Sequence, residues 1–500
     1  FKLFALAAVA MLSTNAFADD WGNTTFVYTY ASDADDVAAT IKGFIQDYPT
    51  GDMEEVTIPN TVKSKTGKTL KVTTIDADAF KGNKNIKKVT FSGANLTTIN
   101  ATAFSGCTAL AEVNFTSATG LTTIGAGAFT GCPFATLDLS TTKLGDVENI
   151  MGTDFDSSDK AKRVTNTTLT TLKLSKYWST IKEKAFAGCT ALATVDVNTV
   201  ATGTGAPTTQ VFEASKDNMF AGCPITSLNF AGTLVTTLPK GLLYDGTIYT
   251  NNESLTSVTL TEKFTALNAA LSNCTELTTI SGYIKVSGST KTSALISLVD
   301  DEFRNDAKLA SFDLTKVTTL GKYSFAGTGL TAVAFPKDGI DAIPEGCFME
   351  CANLATVTWD KDDAKIATIG EKAFAGTAIA SITFPKGAKF NETTIGAIAD
   401  KAFAACENLT TVIWDDQATT VSCNWINEGA FAFCDAVNFY TSAAEVTFWD
   451  GTTNKVTNVT FKNINEAPLI KTLLDRYRRK ELFSYNKMND AYAGDKLIQR

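Results

Sequence analysis

Cysteines and acidic residues are the side chains of this sequence with the greatest capacity for chemistry. The chain of 500 residues contains ten cysteines and no histidine. Without histidine it lacks the commonest general base, the usual Ser-His-Asp and Cys-His catalytic arrangements, and the commonest metal ligand. No two cysteines have the C-x-x-C spacing of a zinc site. We therefore predict no catalytic residue, no bound metal and no cofactor.

Carboxylates are the remaining route to catalysis, because a pair of acids can hydrolyse glycosidic bonds without histidine. Asp360, Asp362 and Asp363 lie close together in the chain, but in a polar stretch with no sign of a pocket. The acids of residues 33–36 suggest calcium, but the glycine and distal glutamate of an EF-hand loop are missing. A solvated loop is the favoured interpretation of residues 33–36.

Eight of the ten cysteines recur three residues after an aromatic or aliphatic residue, which we call the anchor. They are Cys107, Cys132, Cys189, Cys223, Cys274, Cys351, Cys406 and Cys434. An even count in an exported chain ordinarily indicates disulfides. Equivalent side chains of stacked repeats, however, have parallel Cβ vectors about 4.8 Å apart, slightly too far for a disulfide. We expect most of these cysteines to be free thiols.

The anchors define an internal repeat with spacings as short as about 22–26 residues. They are Phe80, Phe104, Phe129, Phe155, Phe186, Phe220, Leu243, Leu271, Phe303, Phe325, Phe348, Phe374, Phe403 and Phe431. Residues 121–140 show the full pattern: an apolar pair with a gap, Ala-Phe, Gly-Cys, and then an apolar strand pattern. Residues 96–115 repeat it in the same order.

This pattern resembles the BspA-like (type-5) leucine-rich repeats of bacterial surface proteins, over roughly residues 56–449. Ile369-Gly370, Ala373-Phe374 and the strand at 379–384 match that family's motif closely. The alanine before the anchor is missing at Phe155, Leu243, Leu271 and Phe303. The resemblance implies surface attachment to host matrix or plasma proteins, or to other cells.

The predicted fold is a β-rich leucine-rich-repeat solenoid, in which short parallel strands stack with short helical turns and both ends are capped. Residues 1–18 are predicted to be a signal peptide that ends in an A-x-A cleavage site. Residues 19–73 form a lead-in and cap, and residues 74–449 form the solenoid of about fourteen repeats. Residues 450–500 form a C-terminal cap with a helical basic tail.

The strand of each repeat is the part that can face a ligand. Alternation along the strand points Val113 inward and Glu112 and Asn114 outward. The same parity gives ten candidate binding residues: Glu112, Asn114, Thr136, Asp138, Thr194, Asp196, Ser227, Asn229, Ser311 and Asp313. The alternative is that small polar residues are merely tolerated on the solvent side of a strand. Four insertions, including residues 284–299, are either binding loops or neutral additions.

We predict an exported protein, secreted or at the cell surface, that binds macromolecules without catalysis. Its expected partner is an extracellular protein or glycan, in adhesion to host matrix proteins or other cells. The alternatives are a carbohydrate-binding or carbohydrate-hydrolysing surface protein and a passive surface coat. A net charge of −9 argues against a nucleic-acid partner. No later apolar run reaches the roughly 18 residues of a membrane span, and the oligomeric state stays open.

Overall fold

The computed structural model describes residues 16–21, 24–44, 54–153, 164–213, 219–243, 252–359, 364–385, 388, 397–414, 420–422, 426–441, 445–447 and 459–463. It has two compact units, residues 1–255 and residues 256–500. Every helix or strand in these described ranges is a β-strand.

The first unit contains seventeen strands among its described residues. They are β1 (Ala16–Trp21), β2 (Thr24–Tyr30), β3 (Ala38–Phe44), β4 (Glu55–Ile58), β5 (Thr61–Lys63), β6 (Thr69–Ile75), β7 (Lys88–Phe91), β8 (Thr98–Ile99), β9 (Glu112–Asn114), β10 (Thr123–Ile124), β11 (Thr136–Asp138), β12 (Asp146–Val147), β13 (Thr171–Lys173), β14 (Thr180–Ile181), β15 (Thr194–Asp196), β16 (Val211–Phe212) and β17 (Ser227–Asn229).

The second unit contains fourteen strands in its described ranges. They are β18 (Ser257–Thr259), β19 (Thr279–Ser281), β20 (Lys285–Ser287), β21 (Thr290–Thr292), β22 (Ala332–Phe335), β23 (Ala342–Ile343), β24 (Thr356–Trp359), β25 (Thr368–Ile369), β26 (Ser381–Phe384), β27 (Thr411–Trp414), β28 (Thr420–Ser422), β29 (Val437–Thr441), β30 (Glu445–Thr447) and β31 (Val459–Asn463).

Strands of successive repeats pair in parallel and in register, as a solenoid requires. In the first unit the longer strands form the sheets β4-β7-β9 and β11-β13-β15-β17, while shorter strands form β12-β14-β16. In the second unit β22 pairs with β24, and β26, β27, β29 and β31 form one sheet. Equivalent residues of neighbouring repeats therefore lie side by side, as Thr136 and Thr171 do.

The lead-in strands extend the sheet of short strands at the start of the solenoid. β2 pairs antiparallel with β1 and β3, and β3 then pairs in parallel with β6. Phe26 lies in β2, within the predicted lead-in. The proposed cleavage site at 16–18 lies in β1, and residues 1–15 lie outside the described part, as does the predicted helical tail at 469–480. The signal peptide stays a prediction.

The anchors fill the core and confirm the predicted register. Most neighbouring phenylalanine anchors stack their rings nearly parallel: Phe104 and Phe129 have centroids 5.3 Å apart, and Phe374 and Phe403 also 5.3 Å. Both Phe129 and Phe374 are fully buried. The Phe129 amide bonds to the Ile150 carbonyl, which places Met151 in the next anchor slot. The anchor expected there from the sequence, residue 155, lies outside the described ranges.

The predicted helical turns are wrong: the turn around each anchor is a third hydrogen-bonded ladder. The amides of Phe104 and Gly106 donate to carbonyls of the next repeat, those of Ala128 and Thr130, at 2.8 and 2.7 Å. Thr102 and Gly106 have left-handed φ angles of 59° and 75°. Left-handed residues on either side of the anchor break the right-handed backbone of a helix and turn alternate amides toward the neighbouring repeat.

The cysteines of the repeat are buried free thiols, as expected from their spacing; all nine cysteines in the described ranges are unpaired. Six of the nine described thiols lie beside the anchor carbonyl of the preceding repeat. The Sγ–O distances are 3.2 Å from Cys107 to Phe80, 3.2 Å from Cys132 to Phe104 and 3.0 Å from Cys351 to Phe325. Burial raises the pKa of Cys351 to about 11. The thiol thus serves as a small hydrogen-bond donor inside the core.

Candidate binding face

The strand face consists of the outward side chains of the longer strand in each repeat. Val113, Leu137, Val195 and Leu228 are buried at the centres of β9, β11, β15 and β17. Their neighbours on both sides point outward, which confirms the predicted parity in the first unit. We call Glu112, Thr136, Thr194, Ser227 and Ser311 the first column, and Asn114, Asp138, Asp196, Asn229 and Asp313 the second column.

The second column ends the strands by accepting hydrogen bonds from the backbone two residues on. The Oδ1 atoms accept from the amides of Thr116, Ser140, Asn198, Ala231 and Thr315, at 2.9, 3.1, 3.0, 2.9 and 2.8 Å. Such Asx turns reverse the chain locally. The sequence analysis missed this structural role, although Asn or Asp at a fixed strand-end position is a signal for it.

The first column is different, since its side chains make few contacts. Thr136, Thr194 and Ser227 are exposed, and they have no side-chain hydrogen-bond partner among the described residues. Glu112 is the exception, with its Oε1 atom 2.8 Å from Lys88 Nζ. The first column therefore offers hydroxyl groups to solvent from a backbone that the second column holds in place.

Lys173 is a strand-face residue that sequence reasoning did not select. Strand register places it between Asp138 and Asp196 in the second column. Its Nζ lies 3.0 Å from Asp138 Oδ2, and hydrogen bonding to Asp138 raises the pKa of Lys173. Burial raises the pKa of Asp138, but hydrogen bonds from Ser140 and Lys173 outweigh it and lower the pKa overall. The sequence Thr-Leu-Lys-Leu at residues 171–174 alternates as the other strands do and could have identified Lys173 as a strand-face residue.

The predicted strand at Ser311–Asp313 is wrong, because these residues belong to no strand in the structure. Tyr283 and Lys291, directly before and within the insertion at 284–299, contact this row of the strand face. The Tyr283 ring stacks on Phe312 at 4.8 Å, and the Tyr283 hydroxyl accepts a bond from the Asp313 amide at 2.7 Å. Lys291 Nζ lies 2.8 Å from Asp313 Oδ2. Asp313 is thus engaged by its own chain.

The hairpin of β20 and β21 belongs to the same insertion, and its side chains other than Lys291 are exposed to solvent. Val286, in β20, is 63% exposed, and Ile296 and Val299 downstream are 50% and 39% exposed. On β22, β24 and β26 of the second unit the exposed residues of the first column are uncharged: Ala332, Thr356 and Ser381.

The acidic groups noted in the sequence do not form a metal centre in the described ranges, where no group of three or more candidate ligands comes together. The side chain of Asp35 accepts a bond from the Thr69 amide at 2.8 Å and lies beside Lys68. The acids of residues 360–363 fall outside the described residues. Across the same described ranges no helix could cross a membrane.

A solenoid of stacked, in-register repeats with buried anchors defines the class of this protein as a repeat-based scaffold. The sequence profile of the BspA type leucine-rich repeat region, six copies long, matches residues 48–150, 73–198, 158–288, 283–395 and 367–470. These matches span most of the sequence, and the chain belongs to the BspA type leucine-rich repeat family.

Solved structures with similarity to this chain are also leucine-rich-repeat proteins. A protein from Bacteroides ovatus is 16% identical over 80% of this chain and 95% of its own, with a TM-score of 0.38. A leucine rich cell surface protein from Faecalibacterium prausnitzii is 19% identical over 87% and 97%, with a TM-score of 0.32. The pneumococcal vaccine antigen PcpA is 12% identical over 90% and 98%, with a TM-score of 0.30. No curated protein sequence matches this chain.

Proposed function

We propose that this protein binds a protein partner through the strand face of its first unit, without catalysis. The proposal rests on the different structural roles of the two columns. The second column holds the backbone through Asx turns, while the first column presents hydroxyl groups such as those of Thr136, Thr194 and Ser227. A surface fixed before binding loses little entropy when a partner arrives, so many weak polar contacts can supply affinity.

The proposed setting is outside the cell, in adhesion to matrix proteins or to other cells. The A-x-A pattern at 16–18 supports export. Membership in the BspA type family supports a role in binding proteins. A glycan partner is the alternative, and it is an outcome of the same experiment.

The test is surface binding of the purified chain to a panel of matrix proteins and glycans. A triple variant, Thr136→Arg, Thr194→Arg and Ser227→Arg, places bulky charged side chains on three rows of the first column. We expect it to bind about tenfold more weakly or worse, because the partner can no longer approach the face.

The matched control carries Thr279→Arg, Thr356→Arg and Ser381→Arg, the same residue types at exposed strand-face positions of the second unit. It should bind as the unchanged protein does. Equal binding by the first triple variant and the unchanged protein would contradict the proposal, as would the absence of binding to any protein of the panel. Binding to glycans alone would favour the alternative.

A further inference from the structure

Two carboxyl groups, Glu302 and Asp306, are fully buried in the turn of the repeat anchored at Phe303. Glu302 occupies the slot before the anchor, which holds Ala103, Ala373 and Ala402 in regular repeats. Asp306 occupies the slot three residues after the anchor, where most repeats have a cysteine. Both slots otherwise hold small or apolar side chains, so a buried acid in each of them needs a physical explanation.

Both carboxyl groups bond to the preceding repeat, anchored at Leu271. Glu302 Oε1 accepts from the Ala269 amide at 2.7 Å, and Asp306 Oδ1 accepts from the Cys274 amide at 2.9 Å. In regular repeats the amide equivalent to Ala269 bonds to a backbone carbonyl, as Gly346 does to Glu371 at 2.8 Å. A side-chain carboxyl group therefore replaces a backbone carbonyl at this junction, which we call the carboxyl seam.

The carboxyl seam is poorly suited to negative charge. Glu302 Oε2 accepts from the Val299 amide at 3.0 Å, but Asp306 Oδ2 is buried without a hydrogen-bond partner. Burial raises the pKa of Glu302 to about 7 and outweighs the hydrogen bonds from the Val299 and Ala269 amides, which favour the charged form. Burial raises the pKa of Asp306 well above its ordinary value; the hydrogen bond from the Cys274 amide opposes this, and repulsion from Glu302 adds to it. Ionisation of either group leaves a charge in the core, and no Lys or Arg is buried in the described part of the chain to balance it.

The charged groups of the three turns packed here are paired with one another at the surface. Arg304 pairs with Asp301 at 2.9 Å, and Lys308 with Glu276. From the next repeat, Lys322 pairs with Glu345 at 3.0 Å, and its amide bonds to Asp300 Oδ1 at 2.7 Å. The Tyr323 ring lies 5.1 Å from the Arg304 guanidinium group. Two further titratable groups lie in these turns. The Tyr323 hydroxyl donates to Glu345, which raises the pKa of Tyr323, and the pKa of the Cys274 thiol is raised by burial and then by Asp306.

We propose that the carboxyl seam is a pH-sensitive joint in the solenoid, closed while Glu302 and Asp306 are protonated and progressively easier to open as they ionise. A carboxyl group with a raised pKa in the folded state stabilises that state fully below its unfolded pKa. That stabilisation is lost as the pH rises through the folded pKa, which for Glu302 is about 7. The contribution of Glu302 to the closed joint is thus lost as the pH rises from about 4.5 to about 7.

Hydrogen exchange of the amides that donate to the seam tests the joint directly. After correction for intrinsic exchange, opening at Ala269 should rise by up to about tenfold for each pH unit between about 4.5 and about 7, where the opened state ionises and the closed state does not, and it should level off at higher pH. Opening at Cys274 should rise in the same way as Asp306 titrates. The amides of Phe348 and Phe374, which donate to backbone carbonyls, are the reference and should show no such rise.

Two substitutions assign the effect to the seam. Glu302→Gln keeps an acceptor and removes the charge, so it should abolish most of the pH dependence at Ala269. Asp306→Asn should do the same at Cys274 and provides a second, independent variant. Glu371→Gln, at a surface carboxylate paired with Lys372, is the matched control and should leave the dependence intact. A flat profile in the unchanged protein, or an unaltered slope in both seam variants, would overturn the proposal.

Discussion

The regular repeats from Phe325 to Phe431 and the repeat that joins Leu271 to Phe303 solve the same packing problem in different ways. In the regular repeats, backbone amides donate to backbone carbonyls of the next repeat. A thiol or hydroxyl group occupies the position three residues after the anchor, as in Cys351 and Thr328, whose Sγ and Oγ1 atoms lie 3.2 Å apart. At the carboxyl seam, side-chain acids accept from those amides. The comparison shows that a repeat can keep its register with altered chemistry, but then its stability depends on pH.

The largest expected effect is a loss of stability when a buried anchor is truncated, compared with truncation of an exposed aromatic residue in the same repeats. Phe374→Ala should lower the free energy of unfolding by about 3–5 kcal/mol, because it leaves a cavity between stacked rings. Phe433 is 77% exposed, and Phe433→Ala should change stability by no more than about 0.5 kcal/mol. Chemical denaturation measures both. Similar losses in the two variants would mean that ring stacking does not dominate repeat stability.

Exchanging the residue three positions after the anchor should have the next largest effect on stability. Asp306→Cys installs the common residue of the slot and removes an unpartnered buried oxygen, so it should stabilise the protein by about 1–3 kcal/mol at neutral pH. Cys351→Asp makes the reverse change in a regular repeat and should destabilise by at least a similar amount. Urea midpoints at pH 7 decide this. A stabilising Cys351→Asp would show that the slot accepts acids freely.

A smaller effect is expected from the strand face of the first unit. Asn229→Ala removes the acceptor of an Asx turn and should cost about 1 kcal/mol, the typical value of one hydrogen bond. Ser227→Ala, in the same strand, removes an exposed hydroxyl and should cost less than about 0.5 kcal/mol. Thermal unfolding of the pair measures the difference. Equal midpoints would contradict the claim that the second column stabilises the backbone and the first column does not.

The smallest effect concerns the thiols. Because all nine described cysteines are free and buried, a reductant should leave the thermal midpoint of the protein unchanged. Titration of the unfolded, unreduced chain should count most cysteines as thiols. A clear loss of stability on reduction would reveal disulfides and would contradict the prediction that the repeat cysteines are free thiols.

The features that follow from periodicity could be predicted from the sequence. Anchors such as Phe129, the inward parity of Val113 and the free thiol of Cys132 depend only on repeat spacing and side-chain alternation. The turn around the anchor could not be predicted this way, because its left-handed residues include Thr102 and Lys372 as well as glycines. Hydrogen bonds between repeats, rather than local propensity, decide its shape.

The candidate site was predictable to a similar extent. The outward direction of Thr136 and Asp138 followed from alternation, and the structure agrees. The Asx turns depend on where the chain goes two residues later, and the Asp313 contacts depend on an insertion with no periodic signal. The burial of Glu302 and Asp306 was hidden for a related reason: acids in loops are usually exposed, and only the stacked neighbour buries them.

The turn ladder of the second unit has a direction. From Phe303 through Phe403 each anchor amide donates to the repeat that follows it. Peptide dipoles aligned in this way add along the stack, as they do along a helix, with the positive end toward the C-terminal side. The two ends of such a ladder therefore need opposite chemistry: whatever closes the C-terminal side must offer oxygen acceptors, and whatever closes the N-terminal side must offer donors. Glu302 and Asp306 show that carboxyl oxygens can fill the acceptor role.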